Sequence, residues 1–225
     1  MPQTLRPWTA RRSRAVRMTN ITVLVSGGGT NLQAVIDAIS SGKIPDARIA
    51  LVISSRADAF ALTRAARAGI KTAVVPREDF PEAAARGEAM LRLIAEAQTH
   101  LVLTLGYMSI LDAHFVKACA GRILNIHPSL LPRHGGVGYY GLRVHEAVLA
   151  AGDAESGATV HYVTEEVDGG RILIQRSVPV LATDDAKSLA GRVLEVEHEI
   201  LIEGIQKHLA DRKDDIVIKS NGGQL

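Results

Sequence analysis

The chain has 225 residues, 47% hydrophobic, 4% aromatic and 22% charged, a length and balance that suit one globular domain with a sizeable core. So few aromatics argue against a base-stacking platform for single-stranded nucleic acid, and the one cysteine, Cys119, excludes an intrachain disulfide and any multi-cysteine metal site. The isoelectric point near 8.8 misleads: Arg6, Arg11, Arg12, Arg14 and Arg17 share residues 1–17 with no acid, and taking those five from the 26 basic residues leaves 21 against 24 acidic ones, a net charge of −3 from Met18 onward.

Residues 1–17 lack an apolar h-region and are not a secretory signal. Acid-free, Arg-rich starts also occur in transit peptides and nucleic-acid arms. Here the stretch reads as a disordered extension, or as translation from a start upstream of Met18. No apolar run is long enough to span a membrane, and Cys119, in an apolar stretch, reads as a small buried hydrophobe. The expected setting is the cytoplasm, with neither membrane nor nucleic acid as partner. A single domain is expected over 18–210, and a polar tail over 211–225 with a weak strand at Ile216–Ile218.

Ile21 to Val25 is a short β-branched strand running into Ser26-Gly27-Gly28-Gly29-Thr30-Asn31, and Leu32 to Ile39 follows with helical spacing. Strand, glycine loop and helix bring backbone N–H groups and a helix N-terminus towards an anion. Thr30 or Asn31 is the expected cap, able also to donate to a phosphate oxygen. The loop is neither a Walker A sequence nor the dinucleotide fingerprint. A tight turn that binds nothing is the alternative to a phosphate site. Further strands are expected at Arg48–Ser54, Lys71–Val75, His100–Leu105 and Gly121–Ile126. Helices are expected at Ala59–Ala68, 82–98 and Asp112–Ala118. Apolar strands alternating with helices indicate a doubly wound, mostly parallel α/β sheet. Gly135–Gly141 is too glycine-rich to be regular and is a candidate mobile loop before a helix at Val144–Ala150. Gly157–Val163 and Arg171–Val180 look like an antiparallel hairpin added to the sheet, and 185–208 like a long amphipathic helix. The histidines lack the spacing that zinc needs, so no metal is expected, and His134 and His145 read as plain loop and helix residues.

Ligands of open α/β sheets bind beyond the carboxyl ends of the strands. The glycine loop, Gly106-Tyr107-Met108 and Asn125-Ile126-His127-Pro128 all follow strands, so all should line one edge. On a strand, Asn125 and His127 share a face, and Pro128 keeps His127 extended. An amide can polarise a carbonyl oxygen, and an imidazole can move a proton near neutral pH. A carboxylate would complete the set by orienting the ring.

Taken together, Ser26-Gly27-Gly28-Gly29-Thr30-Asn31-Leu32-Gln33, Gly106-Tyr107-Met108-x-Ile110-Leu111, Asn125-Ile126-His127-Pro128-Ser129-Leu130-Leu131-Pro132 and Asp168-Gly169-Gly170 resemble the folate-dependent glycinamide ribonucleotide formyltransferases. The likeness runs from about Ile21 to about Ala210. It implies a Rossmann-like formyltransferase fold and formyl transfer from 10-formyltetrahydrofolate to the amine of 5′-phosphoribosylglycinamide. It also implies Asn125, His127 and Asp168 as the catalytic trio, with Asp168 raising the pKa of His127. Gly29, Thr30 and Asn31 match the phosphate loop, and Glu197 an acid that contacts the ribonucleotide. The pteridine is expected against Met108, Ser109, Ile110 and Leu111, beside Asn125 and the loop of Val163, Thr164, Glu165, Glu166, Val167 and Asp168, with Ile123 and Val116 as apolar wall. His161 is expected to be structural. Relatives often carry arginine where Ser109 and Ala83 stand, and Arg86 does not match those positions. A 10-formyltetrahydrofolate hydrolase and a non-catalytic folate or nucleotide module are the competing readings, and the assembly is expected to be a monomer or homodimer.

Overall fold

The computed structural model describes residues 18–211, so the expected Arg-rich extension and the strand at Ile216–Ile218 lie outside the described residues. The strands are β1 (Thr19–Val25), β2 (Ala47–Ser54), β3 (Thr72–Val74), β4 (Leu101–Thr104), β5 (Ile123–His127), β6 (Glu155–Tyr162) and β7 (Ile172–Pro179). The helices are α1 (Thr30–Ser40), α2 (Phe60–Arg67), α3 (Ala83–Glu96), α4 (Ala113–Ala118), α5 (Leu142–Ala151) and α6 (Ala186–Asp211). The helix expected to end near 208 thus continues through Asp211, where the tail was expected to begin. No helix among the described residues is long and apolar enough to cross a membrane.

The seven strands form one sheet in the order β3-β2-β1-β4-β5-β6-β7. β1 to β5 pair in parallel, whereas β6 runs antiparallel to both β5 and β7. The doubly wound sheet and its antiparallel addition follow the sequence expectation. The chain winds outward from β1 in one direction and from β4 in the other, so a crevice opens where these neighbours diverge.

Alternation along β1 accounts for the two packed layers. Ile21, Val23 and Val25 face one core with Leu32 and Val35 of α1 and Val193, Ile200 and Leu201 of α6. Leu24 faces the other core with Ile53, Leu91 and Ile94 of α3, and Phe115 of α4. The buried positions of α6, Leu189, Val193, Glu197, Ile200, Leu201, Gly204, Ile205 and His208, keep the spacing of a single helical stripe. Glu197 is the one acid in that stripe, which puts a carboxyl where α6 crosses the sheet edge.

Gly157 links this packing to the loop after β5. A Cβ there would lie 2.1 Å from the Arg176 carbonyl and 2.7 Å from Leu130 Cδ2, so β6 can meet both only without a side chain. Gly157→Ala is expected to lower unfolding stability by about 1–3 kcal/mol through overpacking. An unchanged urea midpoint would show that β6 and β7 can part at no cost.

Candidate active site

The carboxyl ends of β1 and β4 are tied together by Ser26, whose Oγ accepts from Met108 N–H at 2.8 Å and lies 2.6 Å from Ser55 Oγ. A cleft of about 650 Å³ opens above them. Its wall takes Thr30 and Asn31 from α1, and Met108, Ser109, Ile110 and Leu111 from the segment after β4. It takes Asn125 and His127 from β5, and Glu197 from α6. Val163, Thr164, Glu165, Glu166, Val167 and Asp168 of the β6–β7 turn and Gly136–Gly141 complete it. The three loops expected at one sheet edge therefore meet there. Gly29 stands behind the wall, and Ile123, expected as apolar lining, is core instead, packed with Leu24 and Phe115. Arg86 is buried and donates to the Phe80 carbonyl at 2.8 Å, so it does not reach the cleft wall.

Asn125, His127 and Asp168 converge. His127 Nε2 donates to the His134 carbonyl at 2.9 Å, so in the neutral ring the lone pair sits on Nδ1. That Nδ1 lies 3.5 Å from Asp168 Oδ2. The second carboxylate oxygen, Oδ1, lies 3.5 Å from His161 Nε2, and Oδ2 also accepts from Gly136 N–H at 2.9 Å. Asp168 holds a left-handed φ of 57°, a conformation that Asp tolerates better than most residues. Asn125 accepts from Thr104 Oγ1 at 2.7 Å, and its Nδ2 lies 3.0 Å from His161 Nε2. One amide N–H is left to donate into the cleft.

Two opposing forces set the charges. Burial pushes His127 below its ordinary pKa, and the Asp168 carboxylate and the His134 carbonyl only partly offset it. Asp168 acts in the direction expected from the sequence, raising this pKa, but burial of the imidazole outweighs it. For Asp168 itself burial raises the pKa, but His161, His127 and the Gly136 N–H outweigh it and hold the carboxyl below its usual value. The resting pair is a neutral imidazole beside a carboxylate.

The glycine loop differs from expectation in its cap. Gly29 is the N-cap of α1, at φ 74° and ψ 35°, and no side chain caps the helix. Asn31 is drawn elsewhere: its Nδ2 donates to Glu197 Oε2 at 2.6 Å, across 166 residues of sequence. Glu197 is 8% exposed, and burial pushes its carboxyl up to about 7, with the Asn31 bond offsetting only part.

Three groups escaped the sequence reading. His161 bridges Asn125 and Asp168 while its Nδ1 donates to the Tyr162 carbonyl at 3.0 Å. Its signal is the register, in which Asn125 pairs with His161 across β5 and β6. His134 is more than a loop residue, because its carbonyl fixes the catalytic candidate His127 and its ring sits 2.7 Å from Asp153. His145 is buried on the cleft wall with its pKa lowered, by burial first and then by His127. Among the described residues no group of three or more His, Cys, Asp or Glu could hold a metal ion. Cys119 is buried with its thiol pushed up to about 12 by burial, as suits a core residue.

An amide, an imidazole and a carboxylate beyond the β4–β5 edge of a doubly wound sheet define a group-transfer site, and residues 19–205 match the formyl transferase family. The chain belongs to that family and, within it, groups with the phosphoribosylglycinamide formyltransferases. The Haemophilus influenzae enzyme of that name is 45% identical over 183 residues, covering 81% of this chain and 84% of that one. The Escherichia coli enzyme is 44% identical over 181 residues, covering 80% and 82%. The crystal structure of glycinamide ribonucleotide transformylase 1 from Symbiobacterium toebii superposes with a TM-score of 0.79 at 41% identity, covering 84% of this chain and 86% of that one. The family expected from the motifs is the family found.

Glu197 makes this site legible in stability. Its folded pKa of about 7 exceeds the ordinary value of 4.5, so folding takes up a proton between those limits. The stabilisation is complete below about pH 4.5 and is lost as pH rises through about 7, a swing of about 3 kcal/mol. Buried histidines titrate in the same range with the opposite sign, so the comparison is between wild type and Glu197→Gln. The variant is expected to gain stability relative to wild type from pH 5 to pH 8. Parallel stability curves for the two proteins would mean that Glu197 is ionised throughout.

Proposed function

We propose that the protein transfers the formyl group of 10-formyltetrahydrofolate to the primary amine of 5′-phosphoribosylglycinamide in de novo purine synthesis. The observation that carries this reading is the convergence of Asn125, His127 and Asp168 on one cleft wall. The names of the enzymes to which this chain is similar support the choice of amine. Met108, Ile110 and Val167 are exposed apolar side chains on that wall, suited to the pteridine of the folate, with Ser109, Leu111, Thr164, Glu165 and Glu166 around them. Thr30 and Asn31, backed by Gly29, take the phosphate end, and Glu197 takes the ribonucleotide. The same reading puts the enzyme in the cytoplasm as a monomer or homodimer acting on small molecules, with no metal.

The amine attacks the formyl carbon, the carbonyl π pair moves onto oxygen, and a tetrahedral intermediate forms. The free N–H of Asn125 donates to that oxyanion, a contact that strengthens as charge develops. The attacking nitrogen must lose a proton, and the Nδ1 lone pair of His127 is the acceptor. In the resting state that lone pair faces the Asp168 carboxylate at 3.5 Å, an unfavourable juxtaposition. A proton on Nδ1 turns it into an ion pair, so Asp168 stabilises His127 at the moment it acts as base. His127 then returns the proton to N10 of the folate as the C–N bond breaks and the carbonyl re-forms.

Purified protein is expected to consume 10-formyltetrahydrofolate only when 5′-phosphoribosylglycinamide is present. Equal turnover without the amine would make it a hydrolase, and no turnover with intact ligand binding would leave a binding module. Asn125→Ala should lower kcat by about a hundred- to a thousandfold, and His127→Ala by about a hundredfold or more.

Asp168→Asn tests the electrostatics separately. Loss of the carboxylate removes an influence that raises the His127 pKa, so the acid limb of kcat/KM should move to lower pH while the plateau falls. An acid limb that stays in place or moves upward would show that Asp168 does not act through His127.

A further inference from the structure

The proposed amine substrate carries a phosphate, yet among the described residues no lysine or arginine lines the cleft, whereas Glu165, Glu166, Asp168 and Glu197 do. The nearest answer lies one layer behind the glycine loop. Arg64 of α2 donates through Nε to the Gly28 carbonyl at 2.8 Å and through Nη1 to Gln33 Oε1 at 3.2 Å. Its guanidinium rests 5.1 Å from the Phe60 ring centroid. Among the described residues no carboxylate pairs with it.

The grip on Gly28 has a directional consequence. A trans peptide points its C=O and its N–H to opposite sides. The Gly28 carbonyl is turned towards α2 by Arg64, so the N–H of the same peptide, that of Gly29, points away from α2. The preceding peptide is held alike: Ala61 N–H donates to the Gly27 carbonyl at 3.0 Å, which turns the Gly28 N–H outward. Neither N–H meets an acceptor among the described residues. A Cβ on Gly29 would sit 2.7 Å from Ala61 Cβ, so loop and α2 are in direct contact and the orientation cannot be relaxed by separation.

We infer that Arg64 is a positioning residue for the substrate phosphate: it aims the Gly29 N–H at the phosphate and supplies the cation that the cleft wall lacks. The inference rests on the phosphate-loop reading above and adds to it a residue that never touches the reacting atoms. Gln cannot replace it, having neither the charge nor the forked donors. Lys keeps the charge but not the fork that holds Gly28 and Gln33 together.

The test compares 5′-phosphoribosylglycinamide with its phosphate-free riboside in wild type, Arg64→Gln and Arg64→Lys, with 10-formyltetrahydrofolate saturating. Arg64→Gln is expected to raise KM for the phosphorylated amine about tenfold, the size of one charge-assisted hydrogen bond, with kcat within about twofold. Arg64→Lys should recover part of that loss, and kcat/KM for the riboside should move far less in both. Equal losses with both amines, or no loss with either, would overturn the inference and leave Arg64 as packing for α2. Wild type with no preference for the phosphorylated amine would instead overturn the phosphate-loop reading itself. If Arg64→Gln does not fold, the Lys variant decides, supported by whether inorganic phosphate raises its Tm less than that of wild type.

Discussion

The register between β5 and antiparallel β6 is the constraint on which the site depends. Asn125 pairs with His161 and His127 with Thr159, and directly opposed residues lie on the same side of an antiparallel pair. Four polar side chains thus share one face at the strand ends. Thr159 then holds the chain that leaves β5: its Oγ1 donates to the Ser129 carbonyl at 2.7 Å and accepts from Leu131 N–H at 3.2 Å. Beyond His161 the strand turns back towards β7 and carries Asp168 over His127. A slip of one residue would put His161 on the opposite face and take Asp168 out of reach. The close approach at Gly157 keeps that slip from occurring, because only one register brings a residue without a side chain beneath Leu130.

Given this frame, protonation follows from burial opposed by partners. His127, Asp168 and Glu197 are all substantially buried, yet they reach three different states. Asp168 accepts from the Gly136 N–H, has His161 and His127 beside it, and stays ionised. Glu197 has only the Asn31 amide and is held near its midpoint at neutral pH. His127 has a carbonyl on one nitrogen and a carboxylate beyond the other, too far to overcome burial. An imidazole that is neutral at rest but has a carboxylate waiting for its conjugate acid is suited to take a proton and then release it. A tighter pair would hold the proton and stall the second half of the reaction.

Much of this was legible in the chain. The alternation of apolar strands and helices placed the sheet, and the period of two placed Asn125 and His127 together, because both are local properties. What escaped depends on partners remote in sequence. Thr30 and Asn31 are good capping residues, but the Asn31 amide is taken by Glu197, and Gly29 in a left-handed conformation occupies the N-cap position instead. His161 looked structural because its role exists only across a strand pair. The His134 contribution is a backbone carbonyl, which leaves no side-chain signature. Arg86 and Ile123 were misplaced or left open for the same reason: burial behind a wall and exposure on it share one composition.

The absence of a lysine or arginine from the wall, among the described residues, is consistent with the chemistry beside it. A side-chain cation within the cleft would seek Asp168, the carboxylate that must remain available to His127. It would also depress the His127 pKa further, since like charges disfavour the imidazolium. Backbone N–H groups avoid both effects, because they cannot swing across the cleft and carry no net charge. Arg64, behind the glycine loop and engaged with Gly28 and Gln33, is separated from Asp168 by the loop it supports. Anion recognition and proton transfer can then occupy one cleft without competing for the same carboxylate.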